Sequence, residues 1–171
     1  MKRSDINPMP EYWDRYINLV ADVELGQALQ DSIRQLDQLD RAALTRVGDR
    51  TYAPGKWSVK DIIQHLTDVE RIMSYRALLF ARRNGTIPQG FGPDLFAANA
   101  VANRRTIDEL IDELLIVRRS TKDLYDSFDD EMLKARGINW EQEVSVLDLG
   151  FIIVGHQLHH LNVIAERYSP L

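Results

Sequence analysis

Three of the chain's four histidines fall within five residues, at His156, His159 and His160; the fourth is His65. On a helix, residues 156 and 160 stand one turn apart on one face. That spacing lets a single metal ion take two ligands from one helix. His65 lies in the middle of another strongly patterned segment, so the leading chemical reading is a site of three histidines drawn from two helices. His159 could replace His160 through the i, i+3 spacing, or sit beside the ligands at the surface. Asp68, three residues after His65, could orient that ring or act as a carboxylate ligand. The plainer alternative pairs each buried ring with a carboxylate or backbone carbonyl, because an unpartnered buried polar group costs about 1–3 kcal/mol. For one isolated histidine that alternative is the better one. An i, i+4 pair with a lone third histidine favours a metal.

The elements that must position these residues are legible from apolar periodicity and capping signals. The run from Val146 to Tyr168 reads as a helix, capped by Ser145 with Asp148 and closed by Pro170. Ser58 with Asp61 starts a second helix carrying Val59, Ile62, Ile63, Leu66, Val69, Met73 and Phe80 inward. Trp57 precedes it as a hydrophobic staple, and Asn84-Gly85 ends it. Thr106 with Glu109 opens a third helix with Leu110, Leu114, Val117 and Leu124 inward. The pattern before these predicts one amphipathic helix from Asp14 to about Leu44. A short helix through Phe96 and Val101 and an extended stretch at Ile138 to Val144 complete the reading. Four long helices with one long central crossover predict an all-α four-helix bundle in one domain, residues 1–171.

Several other residues have plain structural readings. Gly150 suits close helix packing; Gly155 suits either packing or room for a substrate. Glu70 and the pairs Arg82-Arg83, Arg104-Arg105 and Arg118-Arg119 read as solvated helix faces. Tyr75 and Arg76 are pocket candidates by position alone.

The composition narrows the function. The chain has 171 residues, 44% hydrophobic and 27% charged, with a formal net charge of −5. An acidic balance gives no general attraction to nucleic acid or anionic membranes. Cysteine is absent, which removes disulfides, cysteine-held zinc or iron–sulfur clusters and a cysteine nucleophile. The beginning of the sequence lacks the apolar core of a signal peptide, and no apolar run is long enough to span a bilayer. The expectation is a cytoplasmic protein acting on a small molecule. No Gly-rich phosphate loop, His-Glu-x-x-His helix or Gly-x-Ser-x-Gly elbow is present.

Tyr52-Ala53-Pro54-Gly55-Lys56-Trp57-Ser58, followed by Asp61 and His65-Leu66-Thr67-Asp68-Val69-Glu70, resembles the second-helix signature of the DinB/YfiT-like superfamily. Gly155-His156-Gln157-Leu158-His159-His160-Leu161 resembles its last-helix signature. The two occur in the right order and span about Tyr16 to Tyr168. The resemblance implies a bundle of up-down-down-up topology, often a homodimer. It also implies a divalent metal, usually zinc or nickel, on three histidines that carry over as His65, His156 and His160. Relatives include S-transferases using thiols such as bacillithiol or mycothiol, a thiol-dependent maleylpyruvate isomerase, and metal-dependent hydrolases. The family name reflects DNA-damage induction and is not read as DNA binding.

The function expected first is therefore transfer of a low-molecular-weight thiol activated on the metal, the thiol supplying the sulfur that the chain lacks. Metal-dependent hydrolysis comes second. A non-catalytic, stress-associated bundle acting by dimerisation is the alternative of a different class.

Overall fold

In the computed structural model, which describes residues 1–168, eight helices and one hairpin follow the chain. After a 3-10 turn at Arg3–Asp5 come α1 (Asp14–Ile17), α2 (Leu25–Asp37), α3 (Arg41–Val47) and α4 (Val59–Ala81). Then follow α5 (Pro93–Ala100), a 3-10 turn at Ala102–Arg104, α6 (Ile107–Asp126) and α7 (Asp130–Lys134). Strands β1 (Arg136–Asn139) and β2 (Gln142–Ser145) lead into α8 (Val146–Arg167). Pro170 lies outside the described residues.

The bundle consists of α2, α4, α6 and α8, with α2 and α4 each packed on both α6 and α8. Two apolar layers give the direction of each helix. One joins Ile33 and Leu36 from the end of α2 to Ile62, Ile63 and Leu66 from the start of α4. It also holds Ile107, Leu110 and Leu114 from the start of α6 and Ile164 near the end of α8. The other joins Leu25 and Leu29 to Met73, Ala77 and Phe80, Tyr125, and Val146 through Val154. Hence α2 and α8 run one way and α4 and α6 the other: up-down-down-up. Each Leu, Ile or Phe fully buried here contributes about 1.5–3 kcal/mol.

Three helix starts are the capping boxes expected from sequence. Ser58 accepts from the Asp61 amide at 3.2 Å while Asp61 accepts from the Ser58 amide at 2.9 Å. Thr106 with Glu109 and Ser145 with Asp148 repeat the arrangement. Each such cap is worth about 1 kcal/mol.

The long first helix is a correction. Residues 18–24 leave the helix because the beginning of the chain engages them. The Met1 ammonium pairs with Glu24 at 2.6 Å, Asp22 accepts from the Ser4 amide at 2.8 Å, and Leu25 N–H donates to Met1 O at 3.0 Å. A second break follows Asp37, and Asp40 caps α3 through the Ala43 amide at 2.8 Å. These contacts outweigh the helical pattern of the stretch. The end of α4 also differs: the left-handed residues are Arg83 and Gly85, while the Asn84 side chain accepts from the Thr86 amide at 3.3 Å.

The extended stretch is the antiparallel hairpin β1–β2, with Gly137 opposite Val144. A Cβ on Gly137 would lie 2.2 Å from the Phe80 ring, so glycine lets the hairpin close on α4. Trp140, at its tip, has a positive φ of 56°. Its indole stacks on Trp13 at 5.2 Å between ring centroids, which ties the tip to the segment leading into α1.

Candidate metal centre

α4 and α8 pack directly and bring His65, His156 and His160 together. His156 Nε2 lies 3.2 Å from His65 Nε2 and 3.1 Å from His160 Nε2. All three ligand atoms lie within 4.8 Å of one another. Imidazole nitrogens bound about 2.1 Å from a shared ion stand roughly 3 Å apart, so the spacing suits a common cation. Hydrogen bonding alone fits the group poorly. A neutral Nε2 carries either one proton or one lone pair, so His156 Nε2 cannot satisfy both neighbours as a donor.

The electrostatics point the same way. Burial pulls His65 down to about 4, an effect that Asp94 partly offsets. Burial, then the neighbouring His65 and His159, pulls His160 down to about 3. His156 falls well below the ordinary value through burial, then through His160, His65 and His159. All three are neutral at pH 7, the form that offers a lone pair to a metal.

Packing sets the rings. The His65 ring lies 4.6 Å from that of Trp57, which also stacks on His160 at 6.4 Å. Trp57 thus packs on two of the clustered histidines as well as leading into α4. His160 Nδ1 is buried without a hydrogen-bond partner, so packing holds that ring. Tyr16 sets its ring edge-on to His156 at 5.3 Å and to His159 at 5.4 Å. Gly155 makes this approach possible: a Cβ there would sit 2.0 Å from the Tyr16 carbonyl oxygen. Both interior glycines of α8 therefore serve packing, Gly150 against Leu25 and Tyr125.

A buried polar network fixes the two histidine-bearing helices relative to one another. Arg118 donates Nε and Nη2 to the two carboxylate oxygens of Glu70, and Nη1 to Gln157 Oε1 at 2.6 Å. Its Nη1 also reaches Ser32 Oγ at 2.5 Å, and Gln157 Nε2 donates to the Ser32 carbonyl at 3.2 Å. All four main helices share this knot, and Gln157 adjoins His156. Arg118 and Glu70 are thus core residues, which corrects their reading as solvated faces. The signal was available: Glu70 follows Ile63 by seven residues, and Arg118 stands seven from both Ile111 and Tyr125, on the apolar stripes.

Other expected residues lie elsewhere. His159 is exposed beside Tyr16. Asp68 accepts from Gln64 Nε2 at 2.9 Å, on the side of α4 facing Arg105 and Glu113. Arg105 is itself engaged with Gln64 and Glu113. Tyr75 is exposed, and Arg76 is buried near the far end of α4.

A cavity of about 390 Å³ opens beside the cluster, lined by Tyr52, Lys56, Trp57, Asp94, His159 and His160 among others. His65 and His156 are 8% and 9% exposed, so His160 is the histidine of the cluster that faces this space. The histidines can therefore hold an ion at a cavity wall, with room for another ligand.

A four-helix bundle in this order, with three histidines converging between its second and last helices, defines the class of protein. Residues 13–164 match the DinB superfamily, and the chain belongs to it. The fold is similar to that of YfiT from Bacillus subtilis, described as a probable metal-dependent hydrolase with an unusual four-helix bundle topology. The TM-score is 0.68 at 16% identity, over 94% of this chain and 87% of that one. No curated protein matches the chain. Among the described residues no helix is long and apolar enough to cross a membrane.

Proposed function

We propose that this protein is a divalent-metal-dependent enzyme that delivers an activated nucleophile to an electrophilic small molecule. Convergence of three neutral histidines on one point at the wall of a cavity carries this reading. His65, His156 and His160 are the proposed ligands, and zinc or nickel the ion, since imidazole suits both. When bound, such an ion lowers the pKa of a thiol or water at its open position and presents the anion as a nucleophile. Trp57 and Tyr16 hold the ligand rings, while Tyr52, Lys56 and Asp94 line the space for the second substrate.

Thiol transfer is the first choice of reaction. A soft sulfur anion suits such an ion, and the cysteine-free chain leaves a small molecule as its source. Hydrolysis is the second, supported by the likeness to YfiT. Cobalt-substituted protein distinguishes them. A low-molecular-weight thiol is expected to add a sulfur-to-metal charge-transfer band and to be conjugated to an electrophile faster than with His156→Ala. If no thiol binds but esters or amides are cleaved only by the metallated form, hydrolysis replaces transfer. If neither activity appears, the non-catalytic bundle, dimerising as the family resemblance implies, is the better account.

A further inference from the structure

Two arginines are buried in this bundle, and their donors are satisfied differently. Arg118 places both oxygens of Glu70 on the Nε and Nη2 edge of its guanidinium, at 2.7 and 2.8 Å. Arg76 is 0% exposed, yet its Nη2 donates only to the Gln89 carbonyl, at 2.8 Å. Its Nε is buried without a partner. Nη1 donates to Asn139 Oδ1, and Asn139, also 0% exposed, leaves its own Nδ2 donor without a partner. Turning that amide would bring its NH₂ against Nη1, so the assignment is forced.

Among the described residues, no carboxylate forms an ion pair with Arg76, and burial is the one influence acting on its pKa, downward. Its guanidinium carbon lies 5.4 Å from the Trp140 ring centroid and 6.0 Å from that of Phe91. Ring faces attract a cation only weakly compared with a carboxylate on the same fork.

We propose that Arg76 and Asn139 form a binding site for the carboxylate group of a small molecule, roofed by the Gln89–Phe91 segment. The carboxylate oxygens accept from Nε and Nη2 in place of the Gln89 carbonyl, while Asn139 Oδ1 keeps Nη1. A planar carboxylate matches this edge as Glu70 matches that of Arg118. Gln89 and Gly90 belong to a stretch without helix or strand and are themselves exposed, so the roof is thin. A Cβ on Gly90 would lie 2.9 Å from the Trp140 indole, which makes Trp140 a reporter of roof position. Arg76 follows His65 by three helical turns, about 16 Å along α4, so this site is separate from the histidines.

The test follows the indole NMR signal of Trp140, assigned with Trp140→Phe, during titration with acetate, succinate and benzoate. Inorganic phosphate serves as the tetrahedral comparison. Saturable shifts are expected with at least one carboxylate, weakened tenfold or more in Arg76→Gln and retained in His156→Ala, which excludes binding at a metal. Asn139→Asp keeps the acceptor on Nη1 and supplies a permanent carboxylate beside Arg76. It is expected to raise the melting temperature and to abolish the titration. No saturation with any carboxylate, an undiminished response in Asn139→Asp, loss of the response in His156→Ala, or phosphate binding as tightly as the carboxylates would each overturn the proposal.

Discussion

Arg118 holds both carboxylate oxygens of Glu70, at 2.7 and 2.8 Å, where neither side chain reaches solvent. Removing one member leaves a buried charge alone, which costs about 3–5 kcal/mol, whereas apolar replacement of both can be nearly neutral. Glu70→Leu and Arg118→Met are each expected to lower the urea midpoint strongly. The double variant should recover part of the loss, with Gln157 Oε1 and Ser32 still short of their donor. Equal additive losses in the double variant would show that the pair does not act as a unit.

The second prediction concerns occupancy. Protein grown with metal and purified without chelators or a His tag is expected to hold one divalent ion per chain by elemental analysis. His65→Ala, His156→Ala and His160→Ala should lose it, while His159→Ala keeps most of it. The exposed position of His159 and its ring contact with Tyr16 place its imidazole outside the cluster. Equal loss from His159→Ala and His160→Ala would refute the ligand assignment.

The pH dependence has a defined sign. His65 and His160 fall from the ordinary 6.5 to about 4 and about 3 in the folded chain. Below pH 6.5 the unfolded chain therefore binds more protons, and stability drops as pH falls. The metal-free protein is expected to lose several degrees of melting temperature between pH 6.5 and about 4. His65→Gln should flatten part of that slope. Metal affinity should persist somewhat below pH 6.5, because burial keeps the free ligands neutral there. A metal-free protein with the same melting temperature at pH 7 and pH 4.5 would contradict this.

Much of this architecture is legible in the sequence because capping boxes and apolar stripes are local signals. Ser58, Thr106 and Ser145 mark three of the four main helices, and the spacing of His156 and His160 marks two members of the histidine cluster. What was not legible came from residues distant in the chain. Residues 18–24 carry a helical pattern, yet Met1 and Ser4 draw Glu24 and Asp22 out of it. Charge alone reads Arg118 and Glu70 as surface residues, although their positions on the apolar stripes mark them as core. Tyr16 and Trp57 gave no sign that their rings would meet the histidines, because such contacts depend on how α1 and α4 dock on α8.

Glycine substitutions test the docking. Gly155→Ala is expected to destabilise by at least about 2 kcal/mol, since the added methyl meets backbone rather than a movable side chain. Gly26→Ala, where the nearest atom is the Asp126 carboxylate at 3.8 Å, should be neutral or stabilising by up to about 1 kcal/mol. Thermal melts of the two variants give the comparison, and similar values would mean that α1 can retreat from α8.

The meeting of Gly155 with the Tyr16 backbone also makes the segment leading into the bundle a mechanical stop. α8 cannot rotate or slide toward α1 without driving helix backbone into that carbonyl, so the two move as one body. His156 follows Gly155 directly, and its ring meets that of Tyr16 edge-on. Peeling residues 13–17 away would free α8 and uncover His156 in one event. Hydrogen exchange in the Tyr16 segment and the rate of ion escape should therefore rise and fall together, as readings of one opening motion.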